Sequence, residues 1–394
     1  MSTAAVLTEP PAFTVLGELP DDAQLEQIGE PPRAPFEKAG FAVKALQWDN
    51  RPIRRTRFAF PTPHPSEPRL QEFLNRFGFA RVIESGKTEW EQILLLRDWV
   101  HRKIPFAQQP VANTIDPFEI LDLAGQGGGF YCTHYSTVLQ ACLAALGWTS
   151  RKLSSDTDRT QTENSTQHGV NDVFVNQLGK WVALDPMYNT HYEKAGVPLS
   201  PWELCQLYVA ENGKGLETKR GLDRTPAGTN QTKANPGHNQ ACNYFWVSQR
   251  GHMDPFTPFG TWYPRQELVL VGDAHKDKIW YMGNAPHLEP QPGYRSYFQF
   301  TRRFADVYPD VGCARIELAA GSKPNTVRVE LGTLTPNLDA VLIQVDEHVT
   351  AQAELGFDWY LHEGENRLRV RTRNRFGRLG HESQVTATLV RNAK

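Results

Sequence analysis

A single apolar helix constrains the fold of this chain more than any other feature of its sequence. The residues from Cys132 to Leu146 carry apolar side chains at helical spacing, and Gly147 follows as a stop signal. A glycine-rich run, Gly125–Gly129, leads into the helix. One face of the predicted helix is formed by Tyr135, Val138, Leu139, Cys142, Leu143 and Leu146. Such a helix is expected to lie buried at the centre of a domain.

Two further helices are marked by capping boxes, in which a Ser or Thr side chain and a Glu three residues later satisfy each other's backbone N–H groups. Thr88 and Glu91 start the first of these helices, and Ser200 and Glu203 start the second. The first helix places Ile93, Leu96, Val100 and Ile104 on one face. We expect both helices to belong to the scaffold around the central helix.

A hairpin and a long loop are predicted after the central helix. The segments Gly169–Val175 and Lys180–Leu184 have the composition of strands, and Asn176–Gly179 joins them. The polar segment Lys214–Asn239 predicts a loop, which is a candidate lid.

The last part of the chain has another pattern. Short alternating runs such as Thr326–Leu331, Ala340–Val345 and Arg367–Val370 are separated by turn residues, which is typical of a β-sandwich. We therefore expect an α+β core followed by an all-β domain. The predicted boundaries are an N-terminal arm or small subdomain at 1–60, the core at 61–310 and the sandwich at 311–394.

Composition excludes several classes of partner. The net charge is −2, which argues against nucleic acid and anionic membranes as ligands. No apolar run is long enough for a transmembrane segment, and the first residues lack a secretory signal pattern. Five cysteines without a CxxC pair argue against a disulfide framework. A cytoplasmic protein and an exported one with its leader removed both fit, and the oligomeric state is open.

Cys132 is the candidate nucleophile. A helix N-terminus lowers the pKa of a thiol through its unpaired N–H groups and the positive end of the helix dipole. We expect the glycines before it to leave room for a substrate, and the N–H of Cys132 to donate to an oxyanion. Gln126 and Trp181 are the candidate side chains for a second donor or for contacts around the site.

His168 and Asp185 are the candidate base and the group that orients it. If Val175 pairs with Lys180 across the turn, Asp185 lies diagonal to His168 on one face, about 7–8 Å away at Cα. Asp172 lies four residues along the same strand, about 13 Å from His168, and is the poorer partner. The hairpin therefore favours Asp185.

Other titratable residues give weaker signals. His134 is too close in sequence to Cys132 to share its helix face, so we expect it at the surface or packed around the site. The twelve histidines form no HExxH motif and no Cys-His ligand spacing. We predict no metal and no cofactor.

These motifs resemble those of a known family. The run Pro117–Arg151, with Gly129–Cys132 at its centre, looks like the nucleophile segment of bacterial transglutaminase-like proteins. Downstream, His168 opens a strand and Lys180–Pro186 resembles the family's Trp-containing strand that ends in Asp-Pro. The resemblance covers roughly residues 80 to 210. It implies a papain-like fold and a Cys-His-Asp triad that transfers an acyl group through a thioester.

The same resemblance leaves the substrate open. Release of the thioester by water defines a protease or amidase, and release by an amine defines a transglutaminase; hydrolysis is favoured because nothing marks a pocket for an amine. Segments near Trp359–Leu361 and Asn374–Gly377 are similar to immunoglobulin-like modules of exported enzymes. The alternatives are a carbohydrate- or glycoconjugate-active enzyme, suggested by the tryptophans, and a catalytically silent binding or scaffold protein. Protein, peptide and glycan substrates are all candidates.

Overall fold

The structure is a computed structural model of the chain. It describes residues 41–49, 53–55, 62–157, 167–211, 214–226, 244–249, 267–270, 298–301, 305, 308–323 and 325–391. Among these residues, no helix combines the length and apolar character that a membrane crossing requires.

Six helices and eighteen strands lie in the described part of the chain. The helices are α1 Pro68–Phe77, α2 Phe79–Val82, α3 Glu89–Lys103, α4 Pro117–Gly125, α5 Cys132–Ala145 and α6 Pro201–Glu211. The first eleven strands are β1 Phe41–Asp49, β2 Ser150–Thr157, β3 Gln167–Val175, β4 Lys180–Leu184, β5 Thr190–Lys194, β6 Val197–Pro198, β7 Leu216–Arg220, β8 Thr225–Pro226, β9 Tyr244–Gln249, β10 Glu267–Leu270 and β11 Phe298–Thr301. The remaining strands are β12 Ala314–Ala320, β13 Thr326–Thr333, β14 Leu338–Val345, β15 Ala351–Ala353, β16 Gly356–Tyr360, β17 Gly364–Asn374 and β18 Ser383–Arg391.

These elements form two compact units. The first, called here the α/β unit, contains the six helices and most of β2–β11, and the second, the β unit, contains β1, β12–β18 and Phe174–Lys180. An α/β unit and a unit of antiparallel C-terminal strands, both expected from the sequence, are thus present.

The predicted helix starts are confirmed. The Thr88 side chain accepts from the Glu91 N–H and the Glu91 carboxylate accepts from the Thr88 N–H, so α3 begins with a complete capping box. Ser200 and Glu203 make the same reciprocal pair before α6. The residues expected on the inner face of α3 are buried.

The central helix α5 is more deeply buried than one apolar face requires. Every residue from His134 to Ala145 is buried, including polar Gln140. The helix packs against α1, α3, α4 and β2. Gly147 follows with φ 88°, a left-handed conformation that suits glycine at a helix end.

The sheet beside α5 contains the predicted hairpin. Its strand order is β11-β10-β9-β2-β3-β4, so β3 and β4 are neighbours. The antiparallel register of β2 and β3 places Ser155 opposite His168 and Arg151 opposite Asp172. The strands start and end within two residues of the predicted segments, and they carry His168 and Asp185 to one end of the hairpin.

The prediction that Lys214–Asn239 forms a loop is partly wrong. Residues 216–220 and 225–226 are strands β7 and β8 of a second sheet, ordered β6-β5-β7-β8. Strand β7 has the sequence LETKR, and because most of its side chains are polar, it lacks the alternation of apolar residues by which strands are predicted. Backbone pairing with β5 makes it a strand. Residues 227–239 lie outside the described part of the chain.

The β unit contains two antiparallel sheets, ordered β1-β18-β17-β14-β15 and β12-β13-β16. A shared apolar core includes Ile316, Val329, Trp359, Leu368 and Val385. The three runs chosen from the sequence all lie in strands of this unit. Strand β1 belongs to the segment expected to be an arm or small subdomain, and it pairs with β18 from Phe41↔Arg391 onward.

Candidate active site

Three elements of the α/β unit bring the candidate residues together. Cys132 is the first residue of α5, His168 is the second residue of β3, and Asp185 directly follows β4. His168 Nε2 lies 2.7 Å from Asp185 Oδ2, and both side chains are buried. The diagonal pairing expected from the hairpin is therefore present as a hydrogen bond.

The Cys132 thiol lies close enough to His168 and to the backbone N–H of Gly169 for both to act on its ionisation. Because Nε2 of His168 is held by Asp185, Nδ1 is the ring nitrogen left for the sulfur. Burial by itself raises the pKa of the Cys132 thiol, but the hydrogen bond and charge of His168 and the Gly169 N–H outweigh it, and the pKa is lowered. The thiol is thus poised to ionise.

The pKa of His168 is shifted in the opposite direction, upward. Burial lowers the pKa of His168, but the charge and hydrogen bond of Asp185, together with Cys132, raise that pKa to about 10. A lowered thiol pKa beside a raised imidazole pKa favours a thiolate–imidazolium pair at neutral pH. Such a pair is the reactive state of a cysteine nucleophile.

The carboxylate of Asp185 is held from two sides. Its Oδ2 contacts His168, and its Oδ1 accepts the backbone N–H of Tyr188 at 3.0 Å. Asp185 and Thr190 exchange two backbone hydrogen bonds of 2.9 Å, which close a tight turn between them. The ring of Tyr188 lies 5.5 Å from the His168 ring. The turn therefore orients the carboxylate and also covers the imidazole.

Gly169 allows the hairpin to approach the start of α5. A Cβ at this position would lie 3.1 Å from the N and Cα atoms of Thr133 and 3.2 Å from the carbonyl carbon of Cys132. These contacts are with backbone, which cannot rotate away. The approach brings the Gly169 N–H to the Cys132 sulfur.

The glycine-rich run before α5 has a different role from the one expected. A Cβ at Gly128 would lie 2.7 Å from Val111 Cγ1, and one at Gly129 would lie 2.6 Å from Ala107 Cβ. Backbone bonds join this run to the same segment, Val111 N–H to Gly129 O and Ala107 N–H to Phe130 O. These two glycines make room for the protein's own chain, and the expectation of free space for a substrate is not met there.

The two candidate accessory residues lie in dissimilar places. Gln126 is exposed and is the C-cap of α4. Trp181 is buried in β4, with the Arg151 guanidinium 3.9 Å from its ring centroid. Arg151 also donates through Nε to Asp172 Oδ1 at 2.9 Å, so Asp172 is bound to arginine and not to His168. No described contact links Gln126 or Trp181 to Cys132.

For His134, the surface position is wrong and packing around the site is the alternative that fits. The residue is 2% exposed, with its ring against Phe130 and Tyr131, directly before Cys132. Burial lowers the pKa of His134 to about 4, so it stays neutral at physiological pH. The helix is covered on all sides, which spacing relative to Cys132 does not indicate.

Within the described residues, no group of three or more His, Cys, Asp and Glu side chains is placed to hold a metal ion. Three contributors to the site were missed by sequence reasoning: Gly169, Tyr188 and Arg97. A glycine directly after the candidate base and an aromatic residue just after Asp-Pro are local signals. Arg97 gives no such signal, since its contacts lie about ninety residues further along the chain.

One comparison with known proteins gave a match. Residues 78–186 match the family model described as the transglutaminase-like superfamily. The match begins before α3 and ends just after Asp185, so it spans all three candidate residues. The resemblance predicted from the sequence is confirmed. The search of curated proteins gave no match.

Proposed function

We propose that this protein is a thiol-dependent acyl-transfer enzyme in which Cys132 is the nucleophile, His168 the general base and acid, and Asp185 the group that orients the histidine. The observation that carries the proposal is the position of His168, which bonds Asp185 at 2.7 Å through Nε2 and lies near enough to the Cys132 thiol to lower its pKa. This is the arrangement that an activated nucleophile requires.

The proposed reaction divides amide cleavage into two steps. The Cys132 thiolate attacks the carbonyl carbon, a C–S bond forms, and the C–N bond breaks as His168 gives its proton to the leaving amine. In the second step His168 takes a proton from water, whose oxygen attacks the thioester carbon. The C–S bond then breaks and the thiolate is restored. Atoms and charge balance without a cofactor.

The start of α5 supports this chemistry. The first N–H groups of an α-helix have no partner within the helix, and the N-cap residue Tyr131 gives no side-chain hydrogen bond here. The N–H of Cys132 is thus suited to an oxyanion that forms beside the sulfur. We make no assignment of a side-chain donor to Gln126 or Trp181.

Hydrolysis of an amide or peptide bond is the favoured outcome, and transfer to an amine is its variant. We extend the proposal to the fold: a papain-like core for the α/β unit, with a helix carrying the thiol against a sheet carrying the base, and an immunoglobulin-like sandwich for the β unit.

The first test measures the state of the thiol. Iodoacetamide alkylation of Cys132, followed at the peptide level by mass spectrometry, is expected to keep a nearly flat rate from about pH 8 down to about pH 5. A rate that titrates near pH 8.5, like a free cysteine, contradicts the proposal. Cys142 is the internal reference, because it is fully buried and its thiol pKa is raised by burial.

The second test identifies the bond. A screen of peptide, amide and glycan substrates compares wild type with Cys132→Ala and with the matched control Cys142→Ala, which lies further along the same helix. We expect amide or peptide cleavage that Cys132→Ala abolishes and Cys142→Ala retains. A fluorescent primary amine added to the same reactions separates transfer from hydrolysis. Glycan cleavage that survives Cys132→Ala overturns the assignment of the nucleophile.

A further inference from the structure

The turn that carries Asp185 has an anchor on helix α3. Asn189, four residues after Asp185, adopts φ 56°, a left-handed conformation that asparagine and glycine accept best among the residues. Its side chain is buried, with Oδ1 accepting from Arg97 Nε at 2.9 Å and Nδ2 donating to Asp98 Oδ1 at 2.8 Å. Both ends of the amide are therefore bound by consecutive residues of one helix.

Arg97 is a fully buried guanidinium with three bound nitrogens. Besides Asn189, it donates through Nη2 to Gly221 O at 2.9 Å and through Nη1 to His191 Nδ1 at 2.7 Å. The N–H of Gly221 in turn donates to Asn189 O at 3.0 Å. Arg97 thus joins α3, the Asp185 turn and the segment after β7 in one network.

The charge of Arg97 also acts on Asp185. Burial lowers the pKa of Arg97 to about 9, and the charges of Asp185 and Asp98 work against that fall. The positive charge of Arg97 favours the ionised form of the Asp185 carboxylate, whose oxygens bond His168 and the Tyr188 N–H. Arg97 therefore helps to fix the turn that carries Asp185 and also supplies a positive charge that acts on its carboxylate.

We propose that Arg97 and Asn189 are positioning residues of the thiol site: they fix the turn that carries Asp185 and keep its carboxylate ionised and aimed at His168. This inference rests on the proposed function. Its alternative is that the network only stabilises the fold, as buried arginines often do.

The two explanations predict different pH profiles. The titratable and charged groups facing Asp185 are His168 from β3, Cys132 from α5, Arg97 from α3 and Tyr188 from its own turn. If the carboxylate loses its position, His168 holds its proton less tightly. The Cys132 pKa then rises, because the contribution of His168 that lowers this pKa is larger than the direct charge of Asp185 that raises it. A purely structural role changes the melting temperature and leaves the thiol pKa where it was.

The experiment measures the pH dependence of Cys132 alkylation and the thermal unfolding of four variants of the full chain. Asn189→Gly keeps the left-handed backbone and removes both side-chain bonds. Arg97→Met removes the charge, and Arg97→Lys keeps it without the planar fork. The control is Glu193→Gln, which alters the far end of the network, since Glu193 bonds His191 at 2.8 Å and makes no described contact with Asn189.

We expect the acid limb of the alkylation profile to move up by about one pH unit in Asn189→Gly and Arg97→Met, with partial rescue in Arg97→Lys. Glu193→Gln is expected to lower the melting temperature without moving the limb. If Arg97→Met does not fold, Asn189→Gly decides. Unshifted limbs in folded Asn189→Gly and Arg97→Met, or in Asn189→Gly alone if Arg97→Met does not fold, overturn the inference while the proposed function stands. A wild-type profile typical of free cysteine removes the proposed function itself.

Discussion

Two buried histidines of the α/β unit bond a carboxylate at nearly the same distance, and their ring pKa values move in opposite directions. His168 lies 2.7 Å from Asp185 and has a pKa raised to about 10. His191 lies 2.8 Å from Glu193 and has a pKa lowered to about 2. A carboxylate bond is common to both, so such a bond alone does not decide the charge of the ring, although Asp185 makes the largest contribution that raises the pKa of His168.

The difference comes from the other charges around each ring. At His168, Asp185 and Cys132 both favour the protonated ring, and together they outweigh burial. At His191 it accepts a hydrogen from Arg97, so the proton of the ring is on Nε2, and burial and the charges of Arg97, Arg224 and Lys219 all oppose a second proton. The surroundings of His168 thus favour a protonated ring. His191 stays neutral and links Arg97 to Glu193 through hydrogen bonds.

The largest expected effect separates these two roles directly. His168→Gln is expected to lower kcat/KM by about 10³-fold or more, because the nucleophile loses its base. His191→Gln is the matched change, and we expect an effect below about tenfold together with a lower melting temperature. Steady-state kinetics on the substrate found in the screen provide the measurement. Equal losses in two folded variants would remove the distinction.

The carboxylates offer the next comparison. Asp185→Asn keeps the shape of the side chain but cannot stabilise the imidazolium, and we expect kcat to fall by about 10² to 10⁴-fold. Glu193→Gln serves as its counterpart and is expected to keep kcat within about threefold. An active Asp185→Asn protein would show that the orienting group lies elsewhere.

The residues that follow the two histidines also differ, because His168 is followed by a glycine and His191 by Tyr192. Replacing Gly169 is expected to have a third and smaller effect, on the reactivity of Cys132. In Gly169→Ala the new methyl group meets the backbone of Thr133 and Cys132, so β3 must shift away from α5. We expect a loss of about tenfold in Cys132 alkylation rate at pH 6, since the pKa of the thiol rises when the Gly169 N–H moves away. Gly125→Ala is the control, because a Cβ there meets nothing within 4 Å. Identical rates in both variants contradict the role of Gly169.

The smallest effect is on stability, and its sign differs between the two histidines. The folded-state pKa of His168 lies above the unfolded value of about 6.5, so its contribution is full below pH 6.5 and is lost as the pH rises through about 10. The folded-state pKa of His191 lies below the unfolded value, so its contribution is full above pH 6.5 and is lost as the pH falls.

Urea unfolding of the two Gln variants at pH 5.5 and at pH 9.5 tests this relation. The cost of His168→Gln is expected to be larger at pH 5.5 and that of His191→Gln larger at pH 9.5, each by at least about 1 kcal/mol. Parallel pH dependences of the two variants would mean that their ionisation states are the same.

The features that the sequence predicts well are local ones. The Thr88 capping box, the start of α5 at Cys132 and the strands that carry His168 and Asp185 all depend on residues within a few positions of each other. The His168–Asp185 bond follows from the same short-range logic, because a four-residue turn determines which residues of a hairpin lie diagonally.

The features that could not be predicted from the sequence depend on residues far apart in the chain. Arg97 has an ordinary place in an amphipathic helix, and only folding brings it to Asn189. The burial of His134 follows from the covering of α5 on all sides, and β7 is a strand because β5 supplies its backbone partners. Sequence periodicity reports one face of one element, whereas these properties arise from two elements meeting.

The pairing of β1 with β18 has a consequence for biosynthesis. During translation β1 is made before every other described strand, and β18 after all of them, yet Phe41 and Arg391 are partners. The edge of the sheet in the β unit is therefore completed only after β18 has been synthesised, and until then β1 has unpaired backbone groups and the apolar side chain of Val43, which is buried in the folded protein. Removing β1 would leave β18 as an open edge, so expression of the β unit is expected to need both strands.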